Sequence, residues 1–331
     1  VIRRLAYAVA SIVGVTAVTF FVTHVIANPV SLVVGQNVTP GAIAALSHKF
    51  GYDRPIWEQY LTYMGALLHG NLGTSIITYQ PVTEEILRRL PNTIELTAAG
   101  LLLGVLWTIP VGCLAALHPG GRIDRISEGL VAFGVAMPGF WLGLLLILLL
   151  YFMLHLTPLP FGQLDPGVIP PPRVTGLMVV DGLIAGDLTV IQSSLAHLLL
   201  PALTLALTSC PAILQLTRDT MVKILRSDYI RSARSLGLPP RTVLWYALKN
   251  AIVPVVTATC MIFGWLLGST VLVETVFAWP GIGLYAIQSI RSFDYSPILG
   301  IVLMTSTVYV VIYLIADLVG LSLDPRTRVQ G

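Results

Sequence analysis

Charge is the scarcest property of this chain. Asp, Glu, Lys and Arg make up 11% of its 331 residues, while 55% are hydrophobic; soluble domains carry about 25% charge. The deficit argues against a large soluble core and for a polytopic membrane protein. Lysine is nearly missing, with Lys49, Lys223 and Lys249 the only three. None lies in a phosphate-cradling GxxxxGK[ST] loop, so the chain is not expected to hydrolyse ATP by itself. HExxH and GxSxG are missing as well, which removes the usual metalloprotease and serine-hydrolase signatures. Cys113, Cys210 and Cys260 fall in separate apolar stretches without a CxxC or Cys/His cluster. They read as small packing residues and not as a disulfide or metal framework. The six histidines are scattered, at His24, His48, His69, His118, His155 and His197. No metal and no cofactor is expected on this chain. A net charge of +3 gives no reason to invoke nucleic acid.

Long apolar runs are what the chain has instead. Arg3 and Arg4 precede a run from Leu5 to Ala27, long enough to cross a bilayer. A signal peptide is the competing reading, with Val25 and Ala27 imitating a cleavage site; an uncleaved first helix is expected. Further spans are expected at 93–117, 130–156, 195–217, 252–273 and 298–318, which gives a six-span, all-α integral membrane protein. Pro138 and Gly139 are expected to bend the third span. Pro201 and Pro211 are tolerated in the fourth, because neighbouring groups can satisfy the carbonyls they free.

The segment 28–92 is more polar and is expected outside. It carries two helical patterns, one on Ile56, Tyr60, Tyr63, Met64 and Leu67 and one on Val82, Ile86, Leu87 and Leu90. Residues 157–194 and 274–297 are expected to form external loops. Ionisable residues gather at span ends, at Glu95, Glu128, Arg218, Asp219, Glu274 and Asp317. No chain of carboxylates or histidines lies mid-span to relay protons, which weakens a proton-coupled transporter. Glu274 and Asp317 are candidates for gate or interhelix contacts, with interfacial anchoring the plainer alternative.

The most strongly patterned interruption is 227–254, SDYIRSARSLGLPPRTVLWYALKNAIVP. Tyr229, Ile230, Ala233 and Leu236 recur at helical spacing, with Arg231, Arg234 and Ser235 on the other side. Ser227 or Asp228 suits an N-cap, and Gly237 suits the left-handed stop after a helix. Pro239 and Pro240 suit the first turn of a second helix, which places Val243, Leu244, Ala247, Leu248 and Ala251 together. Two short amphipathic helices meeting at Gly237 are expected, within a cytoplasmic loop 218–251. A basic loop that only sets topology is the alternative. The glycine between amphipathic helices favours a protein-docking element.

This stretch resembles the cytoplasmic coupling loop of ATP-binding-cassette importer permeases, in the peptide/nickel branch. Ala233, Gly237 and the Ile252-Val253-Pro254 step occupy the loop's characteristic places. Arg231 and Ser232 replace the Glu and Ala of the sugar-permease version, as is usual for peptide permeases. An independent resemblance runs through the external region. Gly51, Asp53, Pro55, Gln59, Tyr60, Gly70, Leu72, Gly73, Ser75, Pro81, Val82, Arg89, Leu90, Pro91, Thr93 and Leu96 match the first permease subunit of peptide importers. Glu274, Phe277, Pro280, Gly281 and Gly283 match the family's E-x-x-F-x-x-P-G-x-G, and Asp317, Asp324, Pro325 and Arg326 match its ending.

The resemblance implies the type I importer permease fold and half of a translocation pathway working by alternating access. It implies as partners a second, similar permease, two ATPase subunits that use ATP and Mg²⁺, an extracytoplasmic substrate-binding protein, membrane lipid and a peptide-like substrate. It places Asp228, Tyr229, Ile230, Arg231, Ala233, Arg234, Gly237, Leu238 and Pro254 at the ATPase contact. Glu274, Phe277, Pro280, Gly281 and Gly283 become candidate gate or external contacts. It also implies a bacterial inner-membrane location with both termini and a tail 319–331 in the cytoplasm. Charge agrees with that layout. Thirteen of the 19 Lys and Arg residues fall in the expected cytoplasmic segments and six outside, as the positive-inside rule requires. A self-contained channel or secondary transporter is the rival from another class; the lack of internal repeats argues against it. A membrane enzyme lacks any nucleophile–base constellation.

Overall fold

The computed structural model describes residues 2–21 and 54–323. Residues 28–53 of the expected external segment, and the Asp324-Pro325-Arg326 ending, lie outside the described residues. All named elements among those described are helices. The chain divides into two compact units, residues 1–89 with 285–310 and residues 90–284 with 311–331.

In the first unit, α1 (Ile2–Phe21) meets α2 (Ile56–Leu68) through aromatic side chains at helical spacing. The Phe20 ring lies 5.2 Å from Tyr60 and 5.6 Å from Tyr63, and the Thr16 hydroxyl is 3.2 Å from that of Tyr60. The Gly70–Ser75 turn is tied down on both sides. Thr83 donates to the Gly70 carbonyl, and the Ser75 hydroxyl donates to the buried Asp294 carboxylate. α3 (Val82–Leu117) begins here. Its buried Val82 and Ile86 pack on Gly300 of α13 (Tyr295–Leu323). Arg89 bonds Glu85 one turn back and lays its guanidinium 4.4 Å from the Tyr285 ring of α12 (Ile282–Arg291).

The second unit is organised on the rest of α3. Gly100, Gly104 and Gly112 face Leu205, Cys210 and Thr217, where any Cβ would collide. Small residues at this spacing let helices approach closely in a membrane, where apolar burial alone offers little drive. The facing helices are α7 (Leu188–Ser209) and α8 (Pro211–Leu225). α4 (Arg122–Ala136) and α5 (Gly139–Leu146, continued by a π-helical stretch Ile147–Met153) meet at a 105° bend. Pro138 is its cause: Met137 and Pro138 are both extended, as a residue preceding proline tends to be. The remaining elements are α6 (Met178–Ala185), α9 (Asp228–Ser235), α10 (Pro240–Ser269) and α11 (Val271–Val276). The core gathers Leu96, Ile147, Leu205, Leu266, Phe277 and Trp279.

By length and composition, α3, α7, α10 and residues 295–316 of α13 can each cross a bilayer, and the bent α4–α5 pair has the length and composition of either a broken fifth span or a re-entrant loop. α1 contributes a shorter apolar stretch, Val9–Phe21. Several expected boundaries move. The helical pattern from Val82 and the second span are one helix, because Pro91 is accommodated inside α3. Residues 157–194 are not all loop. Asp181 clamps the Val174–Gly176 backbone and lies in α6, and Asp187 caps α7 through the N–H groups of Thr189 and Val190. The expected fourth span breaks at Cys210, since Pro211 starts a new helix instead of being absorbed. Residues 274–297 hold the end of α11, all of α12 and the start of α13.

Candidate functional site

Two of the motif regions behind the sequence reading take definite shape in the second unit. α9 is amphipathic over two turns. Ile230 and Ala233 are buried against Ala116, Met221, Val243, Ala247 and Ala251. The expected apolar face is only half inside, because Tyr229 stays 46% and Leu236 80% exposed. Asp228, Arg231 and Arg234 are exposed beside them. The surface is therefore a mixed one, two cations and a carboxylate interleaved with two bare apolar side chains. The Asp228–Arg231 pair at 3.4 Å is open to solvent and adds little to stability.

The ends of α9 differ from each other. Ser227 has the extended backbone of an N-cap, yet its hydroxyl turns back to the Ile224 carbonyl, so the expected side-chain cap is not made. The other end is a full Schellman turn. Gly237 sits at φ +74°, its N–H donates to Arg234 O, and the Leu238 N–H donates to Ala233 O. Leu238 packs against the cluster that buries Ala233, the apolar contact that usually accompanies this turn. A non-glycine residue at that φ would be strained by about 1–2 kcal/mol.

The element after Gly237 is not a second short helix. α10 runs unbroken from Pro240 to Ser269, through Pro254 and into the expected fifth span. Pro254 is exposed, and a long apolar helix tolerates such a residue where neighbours re-satisfy its backbone. Val243, Ala247 and Ala251 are buried as their spacing required, while Trp245, Lys249 and Asn250 stay exposed. On the near side, α8 is clasped to α4. Both forks of the Arg218 guanidinium reach the buried Asp124 carboxylate at 2.8 Å, and Gly120 N–H donates to the same group. Planar, bidentate pairing of this kind fixes orientation as well as charge.

The Glu274 motif is built the opposite way. Glu274 is fully buried. Oε1 accepts from the Thr93 hydroxyl at 2.7 Å, and Oε2 accepts from the N–H groups of Gly283 and Leu284 at 2.8 and 3.0 Å. Thr93 Oγ1 in turn accepts from Ile282 N–H. Three orphan donors at the start of α12 are thus satisfied by two side chains, with negative charge at a helix N-terminus. The loop between is pinned as well. Trp279 Nε1 donates to Asn92 O, and Asn92 Nδ2 donates to Pro280 O, each at 2.8 Å. Phe277 and Trp279 are buried in the core.

Space explains the two glycines. A Cβ on Gly281 would fall on the Glu274 carboxylate and the Thr93 hydroxyl, and one on Gly283 would lie 2.6 Å from Val271 Cα. Burial pushes the Glu274 carboxyl up to about 7, against the pull of the hydrogen bonds from Thr93, Leu284, Gly283 and Thr270. Asp181 goes the other way. Burial raises it, but bonds from Thr175, Gly176 and Val174 together hold it below the ordinary carboxylate range.

Glu274, Phe277, Gly281 and Gly283 are therefore buried and turned inward, and Pro280 is half-buried. The sequence reading missed their partners. Thr93 was legible as a motif residue, but its bond to Glu274 spans 181 positions. Asn92, Asp124 and the bidentate role of Arg218 carried no local signal.

Known proteins resemble the chain along nearly its whole length. Residues 108–329 match the family described as "Binding-protein-dependent transport system inner membrane component", and residues 1–97 match its N-terminal companion. The "Probable D,D-dipeptide transport system permease protein" of Escherichia coli K12 is 39% identical over 317 residues, 95% of this chain and 93% of that protein. The dipeptide transport system permease protein of the same strain is 36% identical over 332 residues, covering 99% and 98%. The oligopeptide transport system permease protein of Bacillus subtilis is 31% identical over 329 residues, covering 98% of each. The chain belongs to the inner-membrane components of binding-protein-dependent transport systems, as a permease of the peptide branch of the ATP-binding-cassette importers.

Proposed function

We propose that the chain forms half of the translocation pathway of an importer for di- or oligopeptides, driven by ATP and Mg²⁺ bound to partner subunits. The observation that carries the reading is α9: a short helix anchored by Ile230 and Ala233, with Asp228, Tyr229, Arg231, Arg234 and Leu236 left uncovered. An exposed, mixed surface held on a rigid turn suits a docking site for another protein. In this reading an ATPase subunit covers it from the cytoplasm. Gly237 and Leu238 keep the helix at a fixed angle to α10, and Pro254 lies further along the same rod. A second, similar permease completes the pathway. Both termini are cytoplasmic, and the segment 28–92 faces the external binding protein. The Glu274–Gly283 segment then stands at the external end as the frame of a gate, with Pro280 the most accessible of its motif residues. The names of the relatives favour peptides as cargo. ATP moves the assembly only through different affinities for its inward- and outward-facing states.

The test is recovery of the native complex. The protein is tagged in its own membrane, extracted gently, and its companions are identified. Two ATPase subunits and a second permease are expected, and the reconstituted complex should take up labelled dipeptide only with ATP and a binding protein. A chain that purifies alone and transports by itself would overturn the reading in favour of a channel or secondary transporter.

A further inference from the structure

Arg218 stands among three carboxylates and is committed to two of them. Its Nε and Nη2 each donate to buried Asp124 at 2.8 Å, and its Nη1 donates to Asp219, also at 2.8 Å. Glu128 Oε1 lies 3.8 Å from the same Nη2, beyond hydrogen-bond reach. Asp124 and Glu128 are four positions apart on α4, so they share one face a single turn, about 6 Å, apart. α4 therefore offers Arg218 two seats in register. One is buried and taken; the other is 68% exposed and not taken. There is room to change between them. A cavity of about 430 Å³ opens beside the pair, lined by Glu128, Arg218 and Asp219, with Val131, Val135 and Leu214 beyond them. A close-packed interior would hold the guanidinium in one place.

The two helices are joined in a way that turns rotation into displacement at this point. α4 ends at the extended Met137, and α8 begins at the Cys210 break. They press together near those ends, where a Cβ on Gly134 would lie 2.3 Å from Pro211 Cγ. Arg218 lies about two turns from Pro211, and Asp124 nearly three from Gly134, so a pivot at the tight end swings the clasp. α9 acts on one of these helices and not on the other. Met221 of α8 is buried in the cluster that holds Ile230 and Ala233, and among the described residues none of α4 belongs to that cluster. One turn back along α8 from Met221 stands Arg218. Movement of α9 thus shifts Arg218 along the face of α4. Packed helices commonly answer such a shift by stepping between discrete contacts one turn apart.

We propose that Arg218 changes seats in the transport cycle, leaving Asp124 for Glu128 when the docking helix moves, and that Glu128 is a positioning residue of that second state. Asp219 travels on the same helix and keeps its bond to the guanidinium. The Gly120 N–H, 2.7 Å from Asp124, stays with the carboxylate left behind. The inference rests on the importer reading above and adds a link to it: what α9 feels reaches α4 as a change of partner.

The test uses the complete complex in proteoliposomes. Glu128→Gln keeps the shape of the side chain and removes its charge. An exposed side chain with one long contact contributes little to stability, so the Tm of the purified complex should stay put and the ATPase subunits should stay bound. Uptake of dipeptide per ATP hydrolysed should fall about fivefold or more, the low end of the range for coupling between sites. Glu128→Asp retains the charge and should recover part of that loss. Normal uptake per ATP in Glu128→Gln overturns the inference while leaving the importer reading intact. So does a fall in Tm, which would make Glu128 part of the fold, and so does loss of the ATPase subunits, which would make it a docking residue. A defect confined to positively charged dipeptides also overturns it, by placing Glu128 against the cargo. Failure of the parent complex to take up peptide with ATP would instead overturn the importer reading itself, and this inference with it.

Discussion

α9 and the Glu274 motif are both short, glycine-punctuated segments, and they solve opposite problems. α9 commits only Ile230 and Ala233 to the interior and leaves its polar groups in the open. Glu274 is wholly inside, and every polar group around its carboxylate meets another. Their glycines differ for the same reason. Gly237 is needed for a backbone angle, with open space where its side chain would be, whereas Gly281 and Gly283 are needed for room. The first region is a surface waiting for a partner. The second is a joint that already has all of its partners. Stability and transport should therefore respond in opposite proportions to changes in the two regions.

The largest effect on folding is expected from Glu274→Ala. It strands the N–H groups of Gly283 and Leu284 and the Thr93 hydroxyl, at about 1–3 kcal/mol for each buried group left unsatisfied. Thermal unfolding in detergent should show a large drop in Tm and in yield. A variant as stable as the parent would deny that the joint holds the fold. Gly237→Pro comes next. It removes the N–H donated to Arg234 and forbids the positive φ, so a loss of up to about 3 kcal/mol is expected. The chain should still insert, while ATP hydrolysis by the complex loses its link to uptake. Normal uptake per ATP would break the comparison at its docking side.

The double change Arg231→Glu, Arg234→Glu should move stability by no more than about 0.5 kcal/mol, as exposed substitutions do. It should nevertheless abolish co-purification of the ATPase subunits. The smallest effect is a pH slope. With its carboxyl at about 7 instead of the ordinary 4.5, folded Glu274 binds more proton than unfolded between those values. Its contribution to stability is complete below about 4.5 and is lost as pH rises through about 7. The Tm difference between the parent and Glu274→Gln should change across that window and level off on either side of it. A difference that is flat with pH would place the carboxyl in its ordinary range.

Local chemistry was readable and distant chemistry was not. Gly237 announced a left-handed turn because only its own backbone was at stake, and Pro138 announced the bend for the same reason. Pro211 and Pro254 were ambiguous. Proline either starts a helix or sits within one, according to what its neighbours can supply, and here the two residues chose differently. Thr93, the hydroxyl partner of Glu274, belongs to a helix 181 positions away, and no periodicity encodes such a meeting. Tyr229 and Leu236 share the helical spacing of Ile230 and Ala233. Spacing alone could not say that α9 rests on a ridge only two side chains wide.

The unbroken run of α10 has a mechanical consequence. Thirty residues without a break, at 1.5 Å each, make a rod about 45 Å long. Its near end starts three residues after Gly237, and its far end is Ser269, five residues before Glu274. A tilt of about 5° over that length displaces one end by about 4 Å relative to the other. An angular change too small to disturb the packing of Ile230 and Ala233 can thus arrive, as leverage, at the size of a peptide group.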